Sequence, residues 1–302
     1  MNLFYKISRE RGGEFFIFSE SILWGAFPVV SVFASEFAPP FFVVAWSTFF
    51  AAIFFAGLLT IQKKWKEIFF RSAWQPIFFA TILIAVIYYA LFFLGLQRTS
   101  IGNAAIIVQM EVWFSFVFFG LILRKEKYSR AAIFGAATMF GGVLFILFPG
   151  KFELNQGDFL ILLATIFPPV GNYFQQIARK KVSAVTLLFI RNFIGAAFLF
   201  LLAGFFEMNL PRNFFSALPF LILNGFLFFG FSKILFIEGI HRISVAKAVS
   251  LNTIVPIFTL IYAFIFLREI PTGWQLAGLP LVLVGAILIT RNNFFREVPP
   301  ID

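Results

Sequence analysis

Long apolar runs alternate with short polar and basic clusters along the whole chain. An apolar run of about 18 residues or more is long enough to cross a bilayer as a helix. Ten such runs are expected to be helical spans, at about 15–33, 40–60, 76–97, 102–123, 131–149, 158–178, 184–205, 218–240, 244–266 and 274–290. The fold class that follows is an all-α polytopic membrane protein with ten transmembrane helices. The first span follows a short polar segment without a small-residue cleavage site, so no cleavable signal is expected.

The polar clusters give the orientation. With the N-terminus inside, the inner segments carry 17 Lys and Arg residues and the outer segments carry four, Arg98, Lys151, Arg212 and Arg268. Three more, Arg191, Lys233 and Lys247, fall within spans. Basic residues accumulate in cytoplasmic loops, which predicts that both termini are cytoplasmic. The net charge of +10 belongs to those loops and does not imply a nucleic-acid partner. The chain has no Cys and a single His, His241, so thiolate and histidine-cluster metal sites are excluded and no cofactor is expected. The 50 Phe residues are read mainly as lipid-facing surface, with only a few lining any cavity.

The chain repeats itself. The segment "GLQRTSIGNAA" (95–105) resembles "GIHRISVAKAV" (239–249), and "KEKYSRAAIFG" (125–135) resembles "REIPTGWQLAG" (268–278). Glu126, Gly135 and Gly142 recur as Glu269, Gly278 and Gly285. Two units are predicted, residues 1–150 and 151–302, each with five spans. An odd number inverts the second unit relative to the first, and the loop charges agree: four basic residues at 124–130 against one at 268–273. Inverted repeats place a substrate site near the membrane midplane, between the halves.

With the "ILWGAFPV" start (22–29), the "TSIGNAA" entry to span four, and "RKEK" and "LREI" after spans four and nine, the sequence resembles EamA-type proteins of the drug/metabolite transporter superfamily. The resemblance covers nearly the whole chain. It implies a ten-helix secondary transporter with a central cavity, often an exporter of amino acids or related metabolites. The family often has Pro in span four. Pro256 holds that place in span nine, but Trp113 stands at the matching position here, which argues against a symmetric kink.

Polar groups within the spans mark the candidate site, because such groups are costly in lipid and usually functional. Pro28 is expected to interrupt span one, and Pro168 with Pro169 to interrupt span six, at corresponding places. On one face of span one lie Glu20, Trp24 and Phe27; Trp24 is a cavity residue, whereas Glu20 is expected to reach cytoplasmic water. Span three offers Tyr88 and Tyr89, and the repeat sets Lys233 opposite Tyr89. Span six presents Asn172, Gln175 and Gln176. Arg191 is read as a helix anchor, and Lys247 as snorkelling to the interface. Asn252 and Thr253 are deeper, while Asn103 is placed near the outer mouth. Glu111 sits in the middle of "IIVQMEVWFSFVFF" (106–119), too deep to reach water easily. It either binds a cation, carries a proton, or pairs with Lys233. The residues proposed to bind substrate are Trp24, Tyr88, Tyr89, Glu111, Asn172, Gln176, Lys233 and Asn252.

Together these features predict a transporter rather than an enzyme. It would sit in a bacterial or archaeal cytoplasmic membrane and export a small amphipathic metabolite such as an amino acid by alternating access. Its partners are a small-molecule substrate and the lipid bilayer, with proton coupling an option and the oligomeric state undecided. Nucleotide-sugar or sugar-phosphate exchange is the alternative; it calls for a cluster of cavity Lys and Arg.

Overall fold

The computed structural model describes residues 2–122, 129–148, 155–207, 213–243, 248 and 251–291. Ten apolar helices follow one another: α1 (Asn2–Ser35), α2 (Pro40–Gln62), α3 (Arg71–Leu96), α4 (Ile101–Phe116), α5 (Arg130–Leu147), α6 (Gln156–Arg179), α7 (Ala184–Phe206), α8 (Phe214–Arg242), α9 (Val255–Leu267) and α10 (Gly273–Arg291). Seven are long and apolar enough to cross a membrane, and the described parts of α4, α9 and α10 are shorter. Only helices can meet every backbone hydrogen bond within one segment in lipid, which is why apolar runs of this length adopt them. Several helices extend beyond the apolar runs, since hydrogen bonding continues into the polar flanks.

The helices form two inverted five-helix units, α1–α5 and α6–α10. Pairing between the units follows that symmetry. Helix α1 packs on α8 and α9, as α6 packs on α3 and α4, while α2 pairs with α7 and α5 with α10. The α5–α10 contact rests on the repeated glycines. A Cβ on Gly142 would lie 2.8 Å from the Gly278 carbonyl oxygen, and one on Gly135 would lie 2.8 Å from that of Gly285. Small residues of this kind let backbones approach closely where no water-driven packing operates.

Helix starts are capped across the units. The Glu207 carboxylate accepts from Phe41 and Phe42 N–H at the start of α2 (2.7 and 2.8 Å). Reciprocally, Glu67 accepts from Ser183 N–H and Thr186 Oγ1 at the start of α7 (both 2.7 Å). Glu269 accepts from Ile101 and Gly102 N–H at the start of α4 (3.3 and 3.1 Å). Its repeat counterpart, Glu126, lies outside the described residues, as do Lys151, Arg212 and Lys247. Each carboxylate meets donors that have no partner within the helix and sits at the positive end of its dipole.

Two expectations about helix breaks are corrected. Helix α1 runs without interruption through Pro28, although α6 does break, at Thr165–Ile166, just before Pro168 and Pro169. Helix α4 is interrupted without a proline. Gln109 N–H bonds Ile106 O (3.1 Å) and Glu111 N–H bonds Val108 O (3.0 Å), so the turn tightens to three-residue spacing at Val108–Gln109. A turn at Thr253–Ile254 precedes α9 at the corresponding place. Both segments therefore carry a tightened turn at nearly equivalent places despite Trp113, which packs against Phe140 with ring centres 5.7 Å apart. Wide π-helical turns also recur in register, at Thr81–Tyr88 in α3 and Asn224–Ser232 in α8, and at Val117–Ile122 after α4 and Ala263–Leu267 in α9. The lipid-facing reading of phenylalanine agrees with the many exposed rings, Phe193, Phe205, Phe215 and Phe264 among them.

Candidate functional site

Between the two units lies a cavity of about 110 Å³. Side chains of α1, α3, α4, α6, α7, α8 and α9, with Asn252 just ahead of α9, line it. Of the residues anticipated from sequence, Trp24, Tyr88, Tyr89, Glu111, Asn172, Lys233 and Asn252 are brought together there. Gln176 is not: it is half-buried outside the lining, and Gln175 takes its place. One residue is a turn of about 100° on a helix, enough to move a side chain off the face that Pro168 and Asn172 share with the cavity.

The breaks in the helices place these groups. Pro168 and Pro169 stand in the first turn after the α6 break, where a missing N–H leaves no helical bond unmade. Asn172 and Gln175 follow at four and seven residues, on the same face. The π-helical turn in α3 ends at Tyr88, and the one in α8 ends immediately before Lys233. Wide turns of this type are uncommon and concentrate at functional sites. Here they deliver unlike chemistry, two phenol rings from one unit and an ammonium from the other. The tyrosine rings lie 5.4 Å apart, and Tyr89 stacks on Phe229 at 4.6 Å.

Two charged systems result. In the first, Lys233 Nζ is 2.8 Å from Glu20 Oε1 and 3.2 Å from the centre of the Trp24 ring, which itself stacks on Phe27 at 4.4 Å. This corrects the expectation for Glu20, which is 0% exposed and paired rather than reaching water. Burial of a carboxylate demands such a partner. Lys233 is thus tied to Glu20 and not to Glu111. Glu20 stands early in span one and Lys233 late in span eight, so the two charges share a side of the bundle, but nothing in the sequence says that α1 and α8 are neighbours.

The second system is an ordered chain of hydrogen bonds. Arg191 Nη1 donates to Gln175 Oε1 (2.7 Å), Gln175 Nε2 to Asn172 Oδ1 (2.7 Å), and Asn172 Nδ2 to Glu111 Oε1 (2.9 Å). Guanidinium only donates and an ionised carboxylate only accepts, so both amides are oriented from the ends. Arg191 belongs to the cavity wall, not to a backbone anchor. It is 2% exposed, and its Nε and Nη2 atoms have no hydrogen-bond partner. Glu111 is half-buried, with its other oxygen left free of the Asn172 bond. Beyond the chain, Asn252 Oδ1 lies 2.6 Å from Ser21 Oγ, which brings α1 against the start of α9.

Asn103 lies in a separate polar cluster at the start of α4. It donates to Asp158 (3.1 Å) and accepts from Gln275 Nε2 (2.7 Å), while Thr99 also bonds Asp158. Among the described residues no group of three or more His, Cys, Asp or Glu side chains is placed to hold a metal.

Residues 11–148 and 155–291 each match the model of the EamA-like transporter family. The chain is 22% identical over 287 residues to the uncharacterized transporter YoaV of Bacillus subtilis (strain 168), covering 93% of this chain and 98% of that protein. It is 24% identical over 231 residues to an uncharacterized transporter of Methanothermobacter thermautotrophicus, covering 74% and 66% of the two. A solved crystal structure 15% identical in sequence superposes with a TM-score of 0.70 over 92% of this chain and 96% of the other, which establishes likeness of fold alone.

Proposed function

Because the chain belongs to the EamA-like transporter family and is an integral membrane transporter, we propose that it exports a small amphipathic metabolite, such as an amino acid, by alternating access around the cavity between its units. The observation that carries this reading is Glu111. Its carboxylate stands in the middle of an apolar helix, is held by Asn172 through one oxygen, and lines a cavity walled by Trp24, Tyr88, Tyr89 and Asn252. Such a group suits a substrate ammonium, and the aromatic walls suit an apolar body. A carboxylate cycling between ionised and protonated forms would also couple substrate movement to protons.

In this scheme the binding residues are Trp24, Tyr88, Tyr89, Glu111, Asn172, Lys233 and Asn252, with Gln175 in place of Gln176. The unit boundary falls near residue 150, and both termini lie in the cytoplasm of a bacterial or archaeal cell. Nucleotide-sugar exchange is less favoured: of the two cavity cations, Lys233 is already held by Glu20.

The test is flux. Proteoliposomes containing wild-type protein or Glu111→Gln are assayed for uptake of labelled amino acids across a range of pH. The variant should keep its insertion and melting temperature and lose most flux. Undiminished flux at every pH would refute a role for Glu111 in transport.

A further inference from the structure

Arg191 is the buried charge that the transport scheme above leaves unused. Its Nη1 is spent on Gln175, and that leaves one side of the guanidinium open. The two unpartnered atoms, Nε and Nη2, are the pair whose N–H bonds run parallel along that side. Parallel donors at this spacing match the two oxygens of a carboxylate, and a planar fork of this kind accepts it in bidentate fashion. A charged donor pair buried at 2% exposure without partners is costly, and an anion entering the cavity would relieve that cost.

We infer that Arg191 is the docking point for a carboxylate on the transported molecule, so that the ligand carries an anionic group and is not a simple amine. This rests on the transport reading and deepens it. The protein's own amides already show the polarity of such a ligand. Along the wall from α7 to α4, the Asn172–Gln175 pair presents an acceptor to Arg191 and a donor to Glu111. A ligand anion drawn to that wall finds its donors at the Arg191 end, while the Glu111 end suits a cationic group. The Nε and Nη2 atoms are covered in this structure, so a carboxylate reaches them only when the neighbouring side chains move aside. Lys233 is less suited to the task, since Glu20 and the Trp24 ring already occupy its ammonium.

The experiment removes the carboxylate from the ligand and the guanidinium from the protein. Detergent-purified wild-type, Arg191→Lys and Arg191→Met proteins are melted with each of the protein α-amino acids. For every one that stabilises the wild type, the matching amide and decarboxylated amine are melted too, such as leucine, leucinamide and 3-methylbutylamine. Wild-type protein should bind the amino acid about tenfold or more tightly than either derivative. Arg191→Met should lose that preference by losing far more affinity for the acid than for the amide or the amine, and Arg191→Lys, which keeps charge without the parallel pair, should fall between. Should Arg191→Met fail to fold, the wild-type ligand series and Arg191→Lys still decide. Equal binding of acid, amide and amine by the wild type would overturn the assignment, as would no response to any amino acid or an equal loss for all three ligands in the variants. Amine flux that depends on Glu111 but ignores the carboxylate would overturn Arg191 as a docking point and leave the transport reading standing.

Discussion

Lys233 Nζ sits 2.8 Å from Glu20 Oε1, joining α8 to α1 through a fully buried carboxylate and a largely buried ammonium. Removing one partner leaves the other buried and uncompensated. Glu20→Gln and Lys233→Met should each destabilise the protein by about 3–5 kcal/mol, whereas the double variant should recover much of that loss. Thermal unfolding in detergent measures all three. Additive losses would show that the two side chains act independently.

Asn172 supplies the bond to Glu111 Oε1 and is itself aligned by Gln175. Asn172→Leu keeps the approximate bulk and removes both bonds. Flux should fall about tenfold or more, given the 1–3 kcal/mol typical of a buried polar group left unmade. Flux by Asn172→Leu equal to wild type would mean that Glu111 needs no aligned donor.

The α5–α10 contact makes a steric forecast. A methyl added at Gly142, Gly278, Gly135 or Gly285 would come within 2.6–2.8 Å of a carbonyl oxygen on the facing helix. Alanine at any of the four should cost about 1–3 kcal/mol in thermal unfolding. Gly141→Ala is the control, because a Cβ there meets nothing within 4 Å. Equal melting of Gly141→Ala and Gly142→Ala would contradict the close approach.

Glu67 predicts a pH response. Burial by itself raises its carboxyl, but donors from Ser183 and Thr186, with the nearby Lys64 charge, hold it below the ordinary carboxylate value. A carboxyl lowered on folding stabilises above its unfolded pKa, and that stabilisation disappears as pH falls through the folded pKa. Wild-type stability should therefore drop on going from pH about 6 to below about 4, and Glu67→Gln should show a smaller drop over the same window. Identical acid profiles in urea or thermal unfolding would remove Glu67 from the account.

The absence of cysteine makes orientation directly testable. Single cysteines replacing Lys64 and Lys127 should resist an impermeant thiol reagent in intact cells, and one replacing Lys151 should react. Labelling at Lys64 with none at Lys151 would reverse the orientation that the basic residues imply.

The spans were legible because transfer of a helix into lipid depends on summed hydropathy, a property of each segment alone. The repeated glycines and Glu269 were legible as a pattern, and their pairing followed from the inversion. Glu111 was legible because a lone carboxylate in an apolar helix has few places to go. The partner of Lys233 was not: Glu20 is 213 positions away, and depth along a helix says nothing about which neighbour lies across it. The choice between Gln175 and Gln176 turned on a single helical step. The tightened turn in α4 has no proline to announce it.

Glu67 closes the start of α7 as Glu207 closes the start of α2, and Gly135 and Gly142 meet Gly285 and Gly278 in the order that inversion requires. Contacts of this kind, in which each position meets the equivalent of its own partner, are those of an isologous dimer. A single five-helix ancestor carrying one such glutamate and one such glycine pair would already have been self-complementary, provided that two copies entered the bilayer in opposite senses. Fusion of the two copies would then have freed each half to diverge where symmetry no longer mattered, which is where the tyrosines of one half now face the lysine of the other.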